Sequence, residues 1–229
     1  MKFIQLVLTA SLLLSTLGLS AQENQYLSNK DSDPEARKLV EALRKKYDAY
    51  ETLSANFRLA IALPNQPVET QRGTVSRKGD LVRFRLGNQE GIITADAAYI
   101  VLHDSKEVQI NDLPDPSELT GVLPPQTLFN FYEGEHYVLS IQGDDYVSGR
   151  HLTNIELKPV DRNHSEFTKL RLLVDRKTQE ITSVKAMTRD GSSYTFFLDS
   201  TDGNPQLAAS TFAFDKKEFP GYHVEDLRY

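Results

Sequence analysis

Most of the chain consists of short segments in which apolar and polar residues alternate, each followed by a turn sequence. This period of two places every second side chain on one face, as in a strand that is buried on one side. Short turns can join antiparallel neighbours, whereas parallel strands need a long crossover. The pattern therefore predicts an antiparallel meander. Strands are expected at residues 53–63, 69–76, 81–86, 91–95, 98–103, 106–112, 136–142, 152–158, 168–175, 181–188, 193–199 and 211–214.

A single amphipathic helix is expected before the first strand. Ser32 or Asp33 can cap it, and Pro34 suits its first turn. Glu35 follows Ser32 at the spacing of a capping box. We expect the apolar stripe to pack on the core rather than on a membrane. The stripe comprises Ala36, Leu39, Val40, Leu43, Tyr47 and Tyr50.

Residues 113–134 interrupt the alternation with four prolines, two of which are Pro124 and Pro125. A short helix over residues 125–132 would present Leu128, Phe129 and Tyr132 on one face. A long irregular segment inside a compact domain is commonly functional, for example as a lid. The alternative is a plug helix that caps one end of the sheet.

The sheet is expected to curl, because a twisted sheet of about ten strands must curl or close. The fold class is therefore α+β. With one long and one short helix to cover it, the concave side leaves either a collapsed core or an apolar cavity, and the sequence does not choose between them.

The first residues resemble an export signal. A basic start is followed by an uncharged, leucine-rich run and then small residues, so residues 1–21 are expected to be a cleaved signal peptide. An uncleaved anchor is the alternative, although the run is shorter than a membrane span. Residues 22–32 are expected to be a flexible leader and residues 33–229 a single exported domain. The chain has no cysteine, which excludes disulfides, thiolate metal sites and an acylated N-terminal cysteine.

Catalytic and metal-binding patterns are absent from the sequence. The chain shows no P-loop, nucleophile elbow or dinucleotide-binding motif, and its five histidines lack metal-ligand spacing. The aspartates that could form carboxylate pairs lie in turn-like sequence. The net charge of -6 argues against binding to nucleic acid. We therefore expect a non-enzymatic protein without cofactor or metal.

The order of motifs resembles the periplasmic outer-membrane lipoprotein carrier family (LolA-like). A signal and a helix precede Ser54-Ala55-Asn56-Phe57, and Gly73-Thr74-Val75 leads into the hairpin of residues 77–84. The most specific match is the ending, Phe212-Ala213-Phe214 followed by residues 219–228. The resemblance implies an incomplete, half-open antiparallel β-barrel of about 11 strands, with a helical lid over an apolar cavity.

The same resemblance implies the function of a periplasmic, soluble, monomeric chaperone for acylated lipoproteins. Such a carrier receives lipoproteins from an inner-membrane lipoprotein-releasing ABC transporter and delivers them to the outer membrane or an outer-membrane acceptor. The alternatives are a lipid- or lipoprotein-sensing envelope-stress module of the same fold, a small-molecule enzyme on this scaffold, and an inert envelope protein with a collapsed core.

The resemblance also assigns site residues. Lys78 falls at or beside the basic gating position of the family's hairpin, with Arg77 as the alternative. Val82 falls at the apolar position and Phe84 at the aromatic position. The hairpin departs from the family because its proline is absent and phenylalanine replaces the usual tryptophan. The residues expected to line the acyl cavity are Phe57, Leu59, Ile61, Val75, Val82, Phe84, Leu86, Leu128, Phe129, Phe131, Ile141 and Leu157.

Overall fold

The structure is a computed structural model. It describes residues 28–113, 129, 136–147, 149–163 and 165–228. In these ranges one α-helix, α1 (Pro34–Asp48), precedes the sheet, and short 3-10 turns form at Asn29–Asp31, Ala209–Phe212 and Lys216–Glu218. The strands are β1 (Thr52–Ala62), β2 (Glu69–Lys78), β3 (Leu81–Leu86), β4 (Gln89–Ile93), β5 (Ala98–Leu102), β6 (Glu107–Asn111), β7 (Tyr137–Val147), β8 (Arg150–Pro159), β9 (Phe167–Asp175), β10 (Glu180–Thr188), β11 (Ser193–Gly203) and β12 (His223–Asp226).

All twelve strands found in the described ranges form one open sheet, in the order β12-β6-β5-β4-β3-β2-β1-β11-β10-β9-β8-β7. Strand β1 lies in the interior and pairs with β2 on one side and β11 on the other. Every pair is antiparallel except β12–β6. The predicted fold class, a half-open antiparallel barrel with an N-terminal helix, is confirmed.

The C-terminal part of the sheet differs from the prediction. Residues 211–214 were expected to be a strand, but Ala209–Phe212 is a 3-10 turn that lies against β3. Arg83 of β3 donates a hydrogen bond to the carbonyl of Thr211, and Phe212 is buried, so the turn is fixed by contacts distant in sequence. Strand β12 was missed because it is four residues long and pairs in parallel with β6, a partner that local alternation cannot reveal.

Helix α1 is capped by Asp33, whose carboxylate accepts hydrogen bonds from the backbone N–H groups of Glu35 and Ala36. Ser32 does not close a capping box, since its hydroxyl accepts a hydrogen bond from Leu139 of β7 at 3.0 Å. The Glu35 carboxylate binds Arg176 instead, at 2.7 Å. The start of the helix is therefore attached to the edge strand of the sheet.

The apolar interior lies between α1 and the concave face of the sheet. The helix contributes Ala36, Val40, Leu43 and Tyr47, all nearly inaccessible to solvent. A second, smaller apolar cluster lies on the convex face of β4–β6, beneath the C-terminal segment. It is formed by Ile92, Val101, Val108 and Phe219.

Several expectations fall on residues outside the described ranges. They are the signal peptide over residues 1–21 and the short helix over residues 125–132, of which only Phe129 is described. The leader expected at residues 22–32 is described only at its end, where Asn29–Asp31 form a 3-10 turn and Ser32 is buried.

Candidate functional site

The residues predicted to line a cavity meet on the concave face. Strand register brings them together, because Val75 of β2 lies opposite Phe84 of β3, and paired residues of antiparallel strands point to the same side. On the other half of the sheet, Leu157 lies opposite Leu139 and Leu170. All the described members belong to one apolar cluster, which we call the concave cluster. Its predicted members are Phe57, Leu59, Ile61, Val75, Val82, Phe84, Leu86, Phe129, Ile141 and Leu157.

The concave cluster has a sealed part and a half-buried part. Phe57, Leu59 and Leu157 have exposed fractions of 1%, 2% and 0%, whereas Ile61 and Leu86 remain half-buried. The half-buried members of β1–β3 and β11 are spread along these strands: Tyr194 lies opposite Ile61 at the end of β1, whereas Phe84 lies opposite Val75, which is level with Ala55 near the start of β1. These members are Ile61, Phe84, Leu86, Tyr194 and Leu198. The predicted residues Leu128 and Phe131 lie outside the described ranges.

Tyr47 lies at the centre of the contact between α1 and the sheet. Its ring centroid is 5.0 Å from that of Phe129 and 5.9 Å from that of Tyr50. Its hydroxyl oxygen accepts a hydrogen bond from the backbone N–H of Ile181 in β10, at 3.1 Å. Burial raises the pKa of the Tyr47 phenol well above its usual value, so the hydroxyl stays neutral and Tyr47 acts as a packing and anchoring group.

The C-terminal end of α1 is also bound from β2. Arg77 donates a hydrogen bond from Nη2 to the carbonyl oxygen of Tyr47, at 3.0 Å. The Nε of Arg77 is buried and, among the described residues, has no hydrogen-bond partner. Lys46 donates to the carbonyl of Thr178 at 2.7 Å and to Glu180 at 2.9 Å. The last turn of the helix is therefore fixed to both halves of the sheet.

Lys78 and Arg77 point to opposite faces. Arg77 pairs with the fully buried Leu53, so its side chain lies on the concave side against the helix. Lys78 pairs with Thr52, is exposed, and lines an open groove of about 810 Å³ together with residues 204–208. Side chains two residues apart in a strand share a face, so Arg77 lies on the same face as the buried Val75 and Lys78 lies on the other. The alternation of the sequence therefore already distinguishes the two residues.

Loss of the Tyr47 hydroxyl is expected to loosen the helix from the sheet. Tyr47→Phe keeps the ring but leaves the backbone N–H of Ile181 buried without an acceptor, which should reduce the free energy of unfolding by about 1–3 kcal/mol. Urea unfolding measures the change. Tyr50→Phe is the control, because the Tyr50 hydroxyl has no such buried donor among the described residues. Equal stability of Tyr47→Phe and wild type would show that the hydrogen bond contributes nothing.

The described residues show no arrangement for metal chemistry or membrane crossing. No group of three or more histidine, aspartate or glutamate side chains could hold a metal ion within these ranges. None of the helices in the same ranges has the length and apolar character needed to cross a bilayer. The chemistry that the concave cluster offers is the burial of apolar groups.

The comparisons with known proteins agree with this geometry. The family model described as outer membrane lipoprotein carrier protein LolA matches residues 48–215, which include the strands that carry the concave cluster and the β2–β3 hairpin. No curated protein matches the sequence significantly.

Several solved structures match most of this chain. An uncharacterized conserved protein from Thermus thermophilus is 9% identical, with 84% of this chain and 99% of that chain covered and a TM-score of 0.53. A putative outer membrane lipoprotein-sorting protein domain from Vibrio parahaemolyticus is 14% identical, with coverage of 81% and 98% and a TM-score of 0.45. A chain of the Pseudomonas aeruginosa MucA/MucB complex is 17% identical, with coverage of 80% and 62% and a TM-score of 0.40.

Proposed function

Because the chain belongs to the outer membrane lipoprotein carrier protein LolA family, we propose that it binds the acyl chains of lipoproteins and carries them across the periplasm. The observation that supports this most directly is the concave cluster. Strands from both halves of the sheet contribute apolar side chains to it, and α1 covers them. The protein acts as a chaperone rather than as an enzyme.

The physical requirement for such a carrier is apolar shelter. Each CH₂ group kept out of water contributes about 0.8 kcal/mol, so an acylated protein cannot cross an aqueous compartment unprotected. A carrier must also release its cargo, and release calls for a site that can open. The half-buried residues Ile61, Phe84 and Leu86 provide apolar surface at which acyl chains can enter.

We assign the gating contact to Arg77 rather than Lys78. A hydrogen bond from Arg77 to the carbonyl of Tyr47 holds the end of α1 against β2. Acyl chains that enter between helix and sheet must displace α1 and break this bond. The exposed Lys78 forms no hydrogen bond or ion pair with α1 among the described residues and is not needed for this step.

The transfer route that we propose begins at the inner membrane and ends at the outer membrane. The protein is exported after cleavage of residues 1–21, receives lipoproteins from an inner-membrane lipoprotein-releasing ABC transporter, and delivers them to the outer membrane or an acceptor there. It acts as a soluble monomer that consists of one domain over residues 33–229, and it needs no cofactor.

The test is displacement of an apolar fluorescent probe from purified residues 22–229. A triacylated lipopeptide is expected to displace the probe, whereas the same peptide without acyl chains should not. A folded protein that fails to bind the probe would contradict the proposal. Binding of acyl chains without transfer of a lipoprotein to outer-membrane vesicles would instead indicate a lipoprotein-sensing module.

A further inference from the structure

The convex side of the sheet carries a row of cations that the concave cluster does not use. Strand register shows that these side chains share one face. Arg58 of β1 lies opposite Arg72 of β2 and opposite Phe197 of β11. Their neighbours along each strand, such as Phe57 and Phe196, are buried on the other side. Arg58, Arg72 and Phe197 therefore point away from the helix.

The row continues in both directions. On one side, Arg85 of β3 lies opposite Thr74, which shares the face of Arg72. On the other side, Lys185 of β10 lies opposite Arg171 of β9, which lies opposite Glu156 of β8. We call this surface the cationic face. Its cations are Arg58, Arg72, Arg85, Lys158, Lys169, Arg171 and Lys185.

The carboxylates on the cationic face only partly balance its cations. Asp199 binds Arg58 at 2.8 Å. Glu156 is 4% exposed and contacts Arg171 at 3.0 Å and Lys169 at 3.5 Å. Burial opposes ionisation of Glu156, but these cations together with Lys158 keep the pKa of its carboxyl below the usual value. Both carboxylates are therefore already bound by cations of this face.

Arg72, Arg85 and Lys185 form no ion pair among the described residues. Glu90 of β4 lies opposite Arg85 but binds Arg83 instead. Asp202 adds a further carboxylate at the end of β11, opposite Ser54. The row still has an excess of positive charge, although the whole chain has a net charge of -6. Such a separation of charge favours contact with an anionic partner on this side.

An aromatic residue lies within the row. Phe197 is 37% exposed, and the guanidinium of Arg58 lies 5.3 Å from the centroid of its ring. A ring and basic groups on one surface suit the headgroup region of a bilayer, where both find partners. The cations are spread over β1–β3 and β8–β10 rather than gathered in a pocket, so a broad anionic surface fits them better than a single small anion.

We propose that the cationic face docks on membrane surfaces that contain anionic phospholipids. The choice of a membrane as the partner rests on the proposed function, because a carrier of lipoproteins must approach two bilayers. The excess of positive charge itself is independent of that function. Docking on this side would hold the protein at the surface through electrostatic contacts that salt can weaken.

The test is cosedimentation of residues 22–229 with vesicles. The protein is expected to bind vesicles of equal parts phosphatidylcholine and phosphatidylglycerol at low salt and to dissociate from them at high salt. It should not bind vesicles of pure phosphatidylcholine. In Arg72→Gln/Arg85→Gln/Lys185→Gln the partition coefficient should fall at least about tenfold, since each basic residue near an anionic surface strengthens binding severalfold.

The matched control removes the same charge from the opposite side. Lys38, Arg44 and Lys45 are exposed on α1, which covers the concave face. The triple variant Lys38→Gln/Arg44→Gln/Lys45→Gln should bind anionic vesicles nearly as well as wild type. Equal loss in both variants, no loss in the first, or failure of the wild type to bind would overturn the proposal.

The failure of membrane docking can be separated from the failure of the carrier function. Probe displacement by triacylated lipopeptide is measured on the same samples without vesicles. Normal displacement with no vesicle binding would refute docking and leave the carrier function standing. If the protein bound an acidic protein saturably and did not bind vesicles, the result would overturn membrane docking in favour of a protein partner.

Discussion

Phe84→Glu is expected to abolish binding of acyl chains while the protein stays folded. The Phe84 ring lies against Gly91 of β4 at the half-buried part of the concave cluster. A carboxylate at this position must lose its hydration when acyl chains cover it, which costs several kcal/mol. Affinity for an apolar probe or a triacylated lipopeptide should fall at least about 100-fold, since each 1.4 kcal/mol is a factor of ten. Fluorescence titration measures it.

The half-buried position makes the experiment interpretable, because a glutamate there can reach water when the site is empty. Thr74→Glu introduces the same residue on the exposed convex side and should bind acyl chains normally. Circular dichroism and urea unfolding check the fold of both variants. If Phe84→Glu unfolds, Phe84 is ordinary core. If the folded variant binds normally, Phe84 lies outside the acyl site.

Gly73→Ala is expected to be strongly destabilising, although it adds a single methyl group. A Cβ at Gly73 would overlap the ring of Phe57 and lie 2.6 Å from the carbonyl oxygen of Arg85, a backbone atom that cannot move away freely. Phe57 is itself fully buried between β2 and Phe196, at 5.5 Å from the second ring. Overpacking of this kind costs about 3 kcal/mol, which should lower Tm by about 10 °C.

Thr74→Ala is the matched control, since it changes the next residue on the exposed side of β2. Its Tm should stay within about 2 °C of wild type, because exposed substitutions cost little. Thermal unfolding followed by circular dichroism gives both values. A Gly73→Ala variant as stable as wild type would mean that β2 and Phe57 can move apart without loss.

Alternation located the first eleven strands and identified the buried face of β1–β3, β7 and β8. It succeeded because Leu59, Val75 and Leu157 are buried by neighbours whose own alternation is just as regular. It failed at residues 211–214, where the spacing of Phe212 and Phe214 imitates a strand. There the chain is fixed by the hydrogen bond from Arg83 and by Tyr99, whose ring stacks on Phe214 with centroids 4.3 Å apart.

The choice between Arg77 and Lys78 shows what a sequence pattern can leave undecided. Both are basic and adjacent in the hairpin, and the resemblance to the family pointed to Lys78 at or beside the gating position. The face that a residue occupies follows from alternation, but the contact of Arg77 with the carbonyl of Tyr47 depends on where α1 ends. Sequence gives no distance between an arginine and a distant backbone carbonyl.

The sequence by itself determined the helix, the antiparallel meander and the family, because these depend on periodicity and on motif order along the chain. Only the tertiary structure decided which strands became neighbours across long separations, such as β1 with β11 and β12 with β6. It also brought Arg58, Arg72 and Lys185 onto one convex face. The physical reason is that the pairing of two strands depends on contacts between residues far apart in the chain. The alternation within one strand shows which face is apolar but does not identify the strand that pairs with it.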